Sequence, residues 1–417
     1  MKSLMTTLPK LLVLALFLAL APAALASNTW YVDGVNGNDG NICKSLKYAC
    51  KTIGHAISLA ASGDSVRVAP ATYTENLTIS ISLTVLGAYA STTIIDGGAV
   101  NTVVTISGTS AQQVILSGLT IRNGYNQNYG GGIVNFGTLT VNNSIITANS
   151  ANYGGGGIEN FTTLTINHST ITGSNLSDQD GSGGAILNWA VLTINQSAIS
   201  GNSAGEGPGI YSGCCGLTST VTTINDSTIS GNSGTWGGGI YITSGTGAIN
   251  NSTITGNSAT DGGGGIISYG TLTINNATIS GNSSAAGAGF FQVTNYGGSA
   301  TFQNSIVAEN SGGNCLTNPN GIYSNGYNLS SDDTCNFSNT GDMNNKNPQL
   351  GTLQNNGGPT QTISELPGSV TIDAGNPSGC TDGNGNLLTT DQRGAPRPGK
   401  YKHDKRCDMG AFERQTD

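Results

Sequence analysis

Charged side chains are scarce in this chain: 15 Lys and Arg with 23 Asp and Glu make up 9% of 417 residues, where soluble domains carry about 25%. The basic residues are also unevenly placed. None occurs from residue 123 to 345, and Arg67 and Arg122 are the last two before that gap. Phosphate backbones are held by Lys and Arg, so the interval excludes nucleic-acid binding along the middle of the chain. Metal motifs are missing as well: there is no C-x-x-C, and the three His, at 55, 168 and 403, are far apart in sequence. No 18-residue apolar run follows the N-terminus, which excludes a later membrane-spanning helix. Ala, Leu, Lys and Glu at 3.6-residue spacing are almost absent from the middle, which excludes helical repeats.

The first 26 residues read as a secretory signal, with Lys2 and Lys10 before and at the start of "LLVLALFLALAPAALA" and a small-residue cleavage site at Ala24-Leu25-Ala26. A retained anchor would lack such a site, and no Cys follows it to suggest a lipoprotein. Eight Cys agree with export, because they fall into neighbouring couples that can pair in an oxidising compartment: Cys43 with Cys50, Cys214 with Cys215, Cys315 with Cys335, and Cys380 with Cys407. The vicinal couple is the least certain of the four, because its bridge strains the intervening peptide.

What fills the middle is a repeat. Aligned on the Ile of "T-I-S/T", the copies fall at Ile146, Ile171, Ile199, Ile229, Ile254, Ile279 and Val307, a period near 25 with insertions. Such a period predicts a solenoid. Within "TLTIN", Leu139, Leu164 and Leu272 alternate with Val141, Ile166 and Ile274, so these face inward and the Thr between them outward. Three residues past each anchor stands Asn149, Asn202, Asn232, Asn257, Asn282 or Asn310, interrupted by Ser174; stacked on one corner they predict an Asn ladder. Gly runs before Ile133, Ile158, Ile186, Ile210, Ile240 and Ile266 fit a second corner. Short strands, no helix between them and parallel stacking predict an all-β, right-handed parallel β-helix.

Domain organisation follows: a signal peptide over 1–26, an N-terminal cap and first coils over 27–98, the repeat region over 99–312, a disulfide-closed polar loop over 313–345, and a C-terminal capping segment over 346–417. "KTIGHAISLAAS", 51–62, predicts an amphipathic capping helix with Ile53, Ala56, Ile57 and Leu59 or Ala60 on one face. The last segment gains Pro and charge and is expected to close the far end. Seven of the fifteen basic residues lie between Arg393 and Arg414, beside Asp391, Asp404, Asp408 and Glu413, a pattern of salt bridges and solvated face.

The N-terminal "WYVDGVNGNDGNICKSLKYACKTIGHAI", the coils "NSTISGNSGTWGGGI" and the tail "LQNNGGPTQTISELPGSVTIDAGNP" with "DQRGAPRP" and "CDMGAFE" resemble bacterial secreted β-helix proteins of the pectin-lyase-like superfamily. The coils are similar to repeats of polymorphic outer-membrane proteins, and the tail to the choice-of-anchor Q region. The resemblance implies the fold and a secreted or cell-surface setting, and no uniform activity.

The superfamily contains polysaccharide lyases and glycoside hydrolases, so cleavage is the alternative function. A lyase on an acidic glycan needs a cationic base and usually Ca²⁺; a hydrolase needs converging carboxylates. The coil carboxylates Glu159, Asp178, Asp180, Glu206, Asp226, Asp261 and Glu309 are scattered, and Glu159 sits where Val134 and Leu187 sit in neighbouring coils. The expectation is a structural or adhesin-like protein with no catalytic residues and no cofactor. Asp178 and Asp180 in "DQDGSG" open like a Ca²⁺ loop that no later Glu completes, and Asp382, Asn384 and Asn386 fail the same way.

Ligand contact has one candidate strip. Three residues past the Gly-run Ile come Phe136, Phe161, Trp189 and Tyr269, which on one corner could lie against sugar rings or stack on each other to shield the backbone. A polysaccharide or cell-envelope component is therefore the expected partner. The outward Thr, such as Thr140 and Thr165, suit exposed strands more than an ice-binding face. The N-x-S/T sequons read as by-products of the repeat.

Overall fold

In the computed structural model, residues 27–415 are described apart from 179, 214–219, 296, 319 and 400–405, so the expected signal over 1–26 and the Cys214–Cys215 couple lie outside the described residues. The chain is the right-handed parallel β-helix that the repeat predicted. Sheet 1 has twelve strands, from Thr29–Val32 to Ile322–Ser324; sheet 2 has eleven, from Ala71–Thr74 to Leu329–Ser330; sheet 3 has ten, from Leu77–Ile79 to Cys315–Asn318. A single coil runs through Thr138–Asn142 in sheet 1, Ile145–Thr147 in sheet 2 and Ile158–Asn160 in sheet 3, then enters sheet 1 again at Thr163–Asn167. Neighbours in each sheet come from successive coils and pair in parallel, as in Leu139↔Leu164↔Leu192 and Ile146↔Ile171↔Ile199. In-register pairing puts like on like, so Val141, Ile166, Ile194 and Ile224 form one buried column of the core.

Amide side chains run beside these columns. The predicted ladder forms from Asn202 Nδ2 to Asn232 Oδ1 at 2.9 Å, and on through Asn257, Asn282 and Asn310 at 2.9 to 3.0 Å. It breaks at Ser174, whose Oγ finds no partner. A second ladder, not anticipated, joins Asn142, Asn167, Asn195, Asn225, Asn250 and Asn275 at 2.8 to 3.0 Å. All but Asn275 are sequon Asn. The residue after each has positive φ, as at Asn143, His168 and Gln196, and the next Ser caps the turn, as Ser169 Oγ does by donating to Asn167 O at 2.7 Å. The sequons are therefore turn chemistry.

The first end is closed by the helix Ile53–Leu59, shorter than predicted. Ile53 and Ala56 are buried, Ala60 packs on the core and Leu59 is exposed. Thr52 caps it by accepting from His55 N at 3.2 Å, and Glu75 accepts from the amides of Ile53 and Gly54 at 2.9 and 2.7 Å.

The far end differs from expectation. Residues 313–345 are the last coil: they supply the final strand of each sheet, and Phe337 closes the core by packing on Phe302 with ring centroids 5.3 Å apart. The segment from 346 does not cap that end. It turns back along the side as a strap over the outer face of sheet 2, because the repeat offers a column of Thr hydroxyls there. Gln392 Nε2 donates to Thr228 Oγ1 at 2.8 Å, Thr253 Oγ1 donates to Gln392 Oε1 at 2.6 Å, and Ala411 N donates to Thr278 Oγ1 at 3.0 Å. Ile306, Ala308 and Leu329 bury against Ala374 and Met409 in the same interface. The disulfides Cys43–Cys50, Cys315–Cys335 and Cys380–Cys407 form as expected.

Candidate functional site

Sheet 3 holds the residues of interest, because each of its strands ends at a corner where the chain turns into sheet 1. Three successive strands end in buried Asn: Asn135 Nδ2 donates to Asn160 Oδ1, and Asn160 Nδ2 to Asn188 Oδ1, both at 2.7 Å, and Asn188 Nδ2 ends the ladder on Ser212 Oγ at 2.9 Å. The next residue in each coil is Phe136, Phe161 and Trp189. This ladder fixes the backbone under the rings one strand spacing apart, and the rings stack: Phe136 on Phe161 at 4.6 Å and 8°, Phe161 on Trp189 at 6.5 Å and 19°. Stacking turns ring faces toward each other and ring edges outward. Phe136 remains 41% exposed. Tyr269 is not part of this stack; Gly213 and Thr243 occupy the two coils between, and Tyr269 packs on Tyr241 instead, at 5.9 Å.

A carboxyl lies beneath the stack. Glu159 pairs in register with Val134 and Leu187, as the repeat implied, on the outer face of sheet 3. It is nevertheless 3% exposed, because the preceding glycine run folds over it. Gly155, with φ +60°, lies so close that a Cβ there would meet the Glu159 Cβ at 2.8 Å, so only glycine permits this roof. Burial pushes the Glu159 carboxyl up to about 7, against the hydrogen bond that Trp189 Nε1 donates to its Oε1 at 3.2 Å. Sequence reasoning placed Glu159 correctly in the repeat and missed its burial, since an outward strand position gives no sign of a loop above it.

The chain is similar to solved structures at low identity. The crystal structure of pectate lyase Pel9A matches with a TM-score of 0.55 at 14% identity, over 94% of this chain and 98% of that chain. A GH136 lacto-N-biosidase from Eubacterium ramulus matches less well, with a TM-score of 0.40 at 12% identity over 73% of this chain and 60% of that one. At such identities the likeness to Pel9A is one of fold. No protein-family model matches the chain, and no curated protein is significantly similar to it.

The remaining carboxylates do not converge on Glu159. Glu206 lies two coils further on, about 10 Å along the axis, and in the loop rather than the sheet. Asp178 and Asp180 form a polar turn in which Asp178 Oδ1 accepts the Asp180 amide at 3.0 Å, beside Asn152 and Tyr153. Asp382 likewise accepts from the amides of Asn384 and Asn386, at 2.9 and 2.8 Å. Among the described residues, the one group of Cys, His and carboxylates near enough to share a metal is Cys43, Cys50 and His55, whose thiols are committed to a disulfide. The corner can thus present ring edges and hydrogen-bonding groups to a ligand.

Proposed function

We propose that the protein is a secreted or cell-surface β-helix of structural or adhesive role, which contacts polysaccharide along the ring-bearing side of sheet 3 and does not cleave it. The observation that carries this reading is the stack Phe136, Phe161 and Trp189 on a buried Asn ladder, in an interval with no Lys or Arg. Rings fixed at strand spacing offer a ready apolar edge to pyranose C–H groups, and the strands around them offer hydroxyls. Three disulfides and the apolar leader support an exported setting. The coils' resemblance to polymorphic outer-membrane-protein repeats and the tail's to the choice-of-anchor Q region support surface display.

A glycan array tests the reading. Binding should appear and should weaken by about 1 kcal/mol or more in Trp189→Ala with the fold intact. Unchanged binding together with a lowered melting temperature assigns the rings to structure alone. One observation favours the alternative of a hydrolase: a buried carboxyl against Trp189 with its pKa near 7 is poised as a general acid. Release of reducing sugar that is lost in Glu159→Gln, or ultraviolet absorbance from polygalacturonate, would establish cleavage in place of binding.

A further inference from the structure

Beyond the stack, the outer face of sheet 3 carries a second group of rings. Tyr211, Tyr241, Ile267 and Phe291 are the outward residues of four successive strands. Tyr211 meets Tyr241 edge-on at 5.2 Å and 72°, Tyr269 meets Tyr241 at 34°, and Trp236 joins them from the end of the short strand Ser233–Trp236. Tyr241 is buried and shares a side-chain hydrogen bond with Tyr269, while Tyr211, Trp236, Tyr269 and Phe291 keep part of their surface. Tilted and edge-on contacts leave more ring face uncovered than the parallel stack does.

Glu206 enters this group from the loop. Its backbone bridges Ser182 on one side and Trp236 on the other, which sets it one strand spacing from Trp236, and its charge acts on the Tyr241 hydroxyl. Gly207, at φ +53°, lets the loop descend here; a Cβ would meet Ile210 O at 2.6 Å. Ser182 Oγ donates to Glu206 Oε2 at 3.3 Å, and no Lys or Arg exists between 123 and 345 to pair with the carboxylate. Burial pushes its pKa up, against the Ser182 hydrogen bond and together with the negative charge of Asp180.

A half-buried carboxylate bordered by aromatic faces, with no cation of the protein's own, is the composition that recognises an organic ammonium group. We propose that Glu206 with Tyr211, Trp236, Tyr241 and Tyr269 forms a subsite for an unacetylated amino-sugar residue, its ammonium against Glu206 and its C–H face against the rings. This rests on the glycan-binding reading above and gives it a substrate class. Uronate polymers are disfavoured by the same charge distribution, since Glu206 lies on this face and no Lys or Arg of the coils neutralises a sugar carboxylate.

Titration calorimetry of the full chain with hexamers of glucosamine, N-acetylglucosamine and galacturonate tests it. The glucosamine hexamer should bind at least tenfold more tightly than its N-acetylated counterpart, and galacturonate should not bind. Glu206→Gln should abolish that preference and leave the N-acetylated hexamer unaffected; Trp236→Ala should weaken both. Glu309→Gln removes the same charge from an exposed site on another coil corner and should keep the preference, which separates the subsite from general attraction to an acidic protein. Equal affinity for the two hexamers, or a preference that survives in a folded Glu206→Gln variant, overturns the subsite and spares the glycan-binding reading. Absence of binding to every hexamer and to the array overturns both.

Discussion

The coils and the strap bury polar groups by opposite means. Along the coil ladders the groups are neutral amides, and repetition supplies one donor after another with an acceptor one strand spacing away: Asn232 Nδ2 reaches Asn257 Oδ1, and Asn257 Nδ2 reaches Asn282 Oδ1. The strap has one copy of everything and relies on charge. Arg397 lies 3.2 Å from Glu413 with both side chains almost wholly enclosed, and Arg393 lies 2.6 Å from Asp391. Glu365, 1% exposed, has no hydrogen-bond partner for either oxygen. Periodicity thus satisfies buried polarity by translation, whereas a unique segment must find each partner separately and here leaves one carboxyl without.

This contrast can be broken from either side, and the core just beneath the last coil gives the largest effect. Phe302 is fully buried between Phe290 and Phe337, at 5.2 and 5.3 Å, so Phe302→Ala should cost about 3 to 5 kcal/mol in urea unfolding. It should loosen the strap too, which docks on that coil; a loss below about 1 kcal/mol would mean that Phe337 does not close the end. Second, replacing Cys380 and Cys407 together by Ala should destabilise the strap by about 2 to 4 kcal/mol, read as faster proteolysis within 346–415 at an unchanged coil melting temperature. A parallel fall in the coil transition would show that strap and coils unfold as one unit.

Smaller changes separate the two kinds of polarity. Asn257→Ala strips the acceptor from Asn232 Nδ2 and should cost about 1 to 3 kcal/mol, whereas a cost near zero would show the ladder to be decorative. Glu365→Gln should do the reverse at neutral pH. Burial first, then the like charges of Asp408 and Glu413, raise the Glu365 pKa well above normal against the opposing pull of Arg397. A carboxyl whose folded pKa exceeds its unfolded value near 4.3 holds its proton in the folded state. Strap stability is therefore full below about pH 4 and declines as pH rises toward the folded pKa. Burial pushes Asp408 and Glu413 up in the same sense, to about 6 and about 7. Proteolysis of the strap should accelerate from pH 5 to 8, and Glu365→Gln should flatten part of that rise; an unchanged profile would place the titration elsewhere.

Legibility follows the same division. Ile146, Ile171 and Ile199 could be read as a core column because the period-two pattern decides inside from outside within a few residues. The Asn ladder was readable down to its break at Ser174. The ladder of Asn135, Asn160 and Asn188 left a signal that went unread, an Asn before an aromatic in three successive coils. The strap's place left almost none: Thr170 and Thr228 occupy equivalent repeat positions, yet Thr170 is half-buried and Thr228 is covered by Gln361 and Gln392.

By itself the sequence determined the coil, its parallel register and its buried columns, because each depends on contacts between a residue and its own copy about 25 positions away, and it determined the disulfide couples around the ends, whose Cys lie 7 and 20 positions apart. Only the tertiary structure decided that the strap lies along sheet 2, that Tyr269 leaves the ring stack for Tyr211, Trp236 and Tyr241, and that Glu159 is roofed over while Glu206 is left beside open rings. Those outcomes depend on where loops of unequal length fold over identical strands, and periodicity carries no information about what covers it.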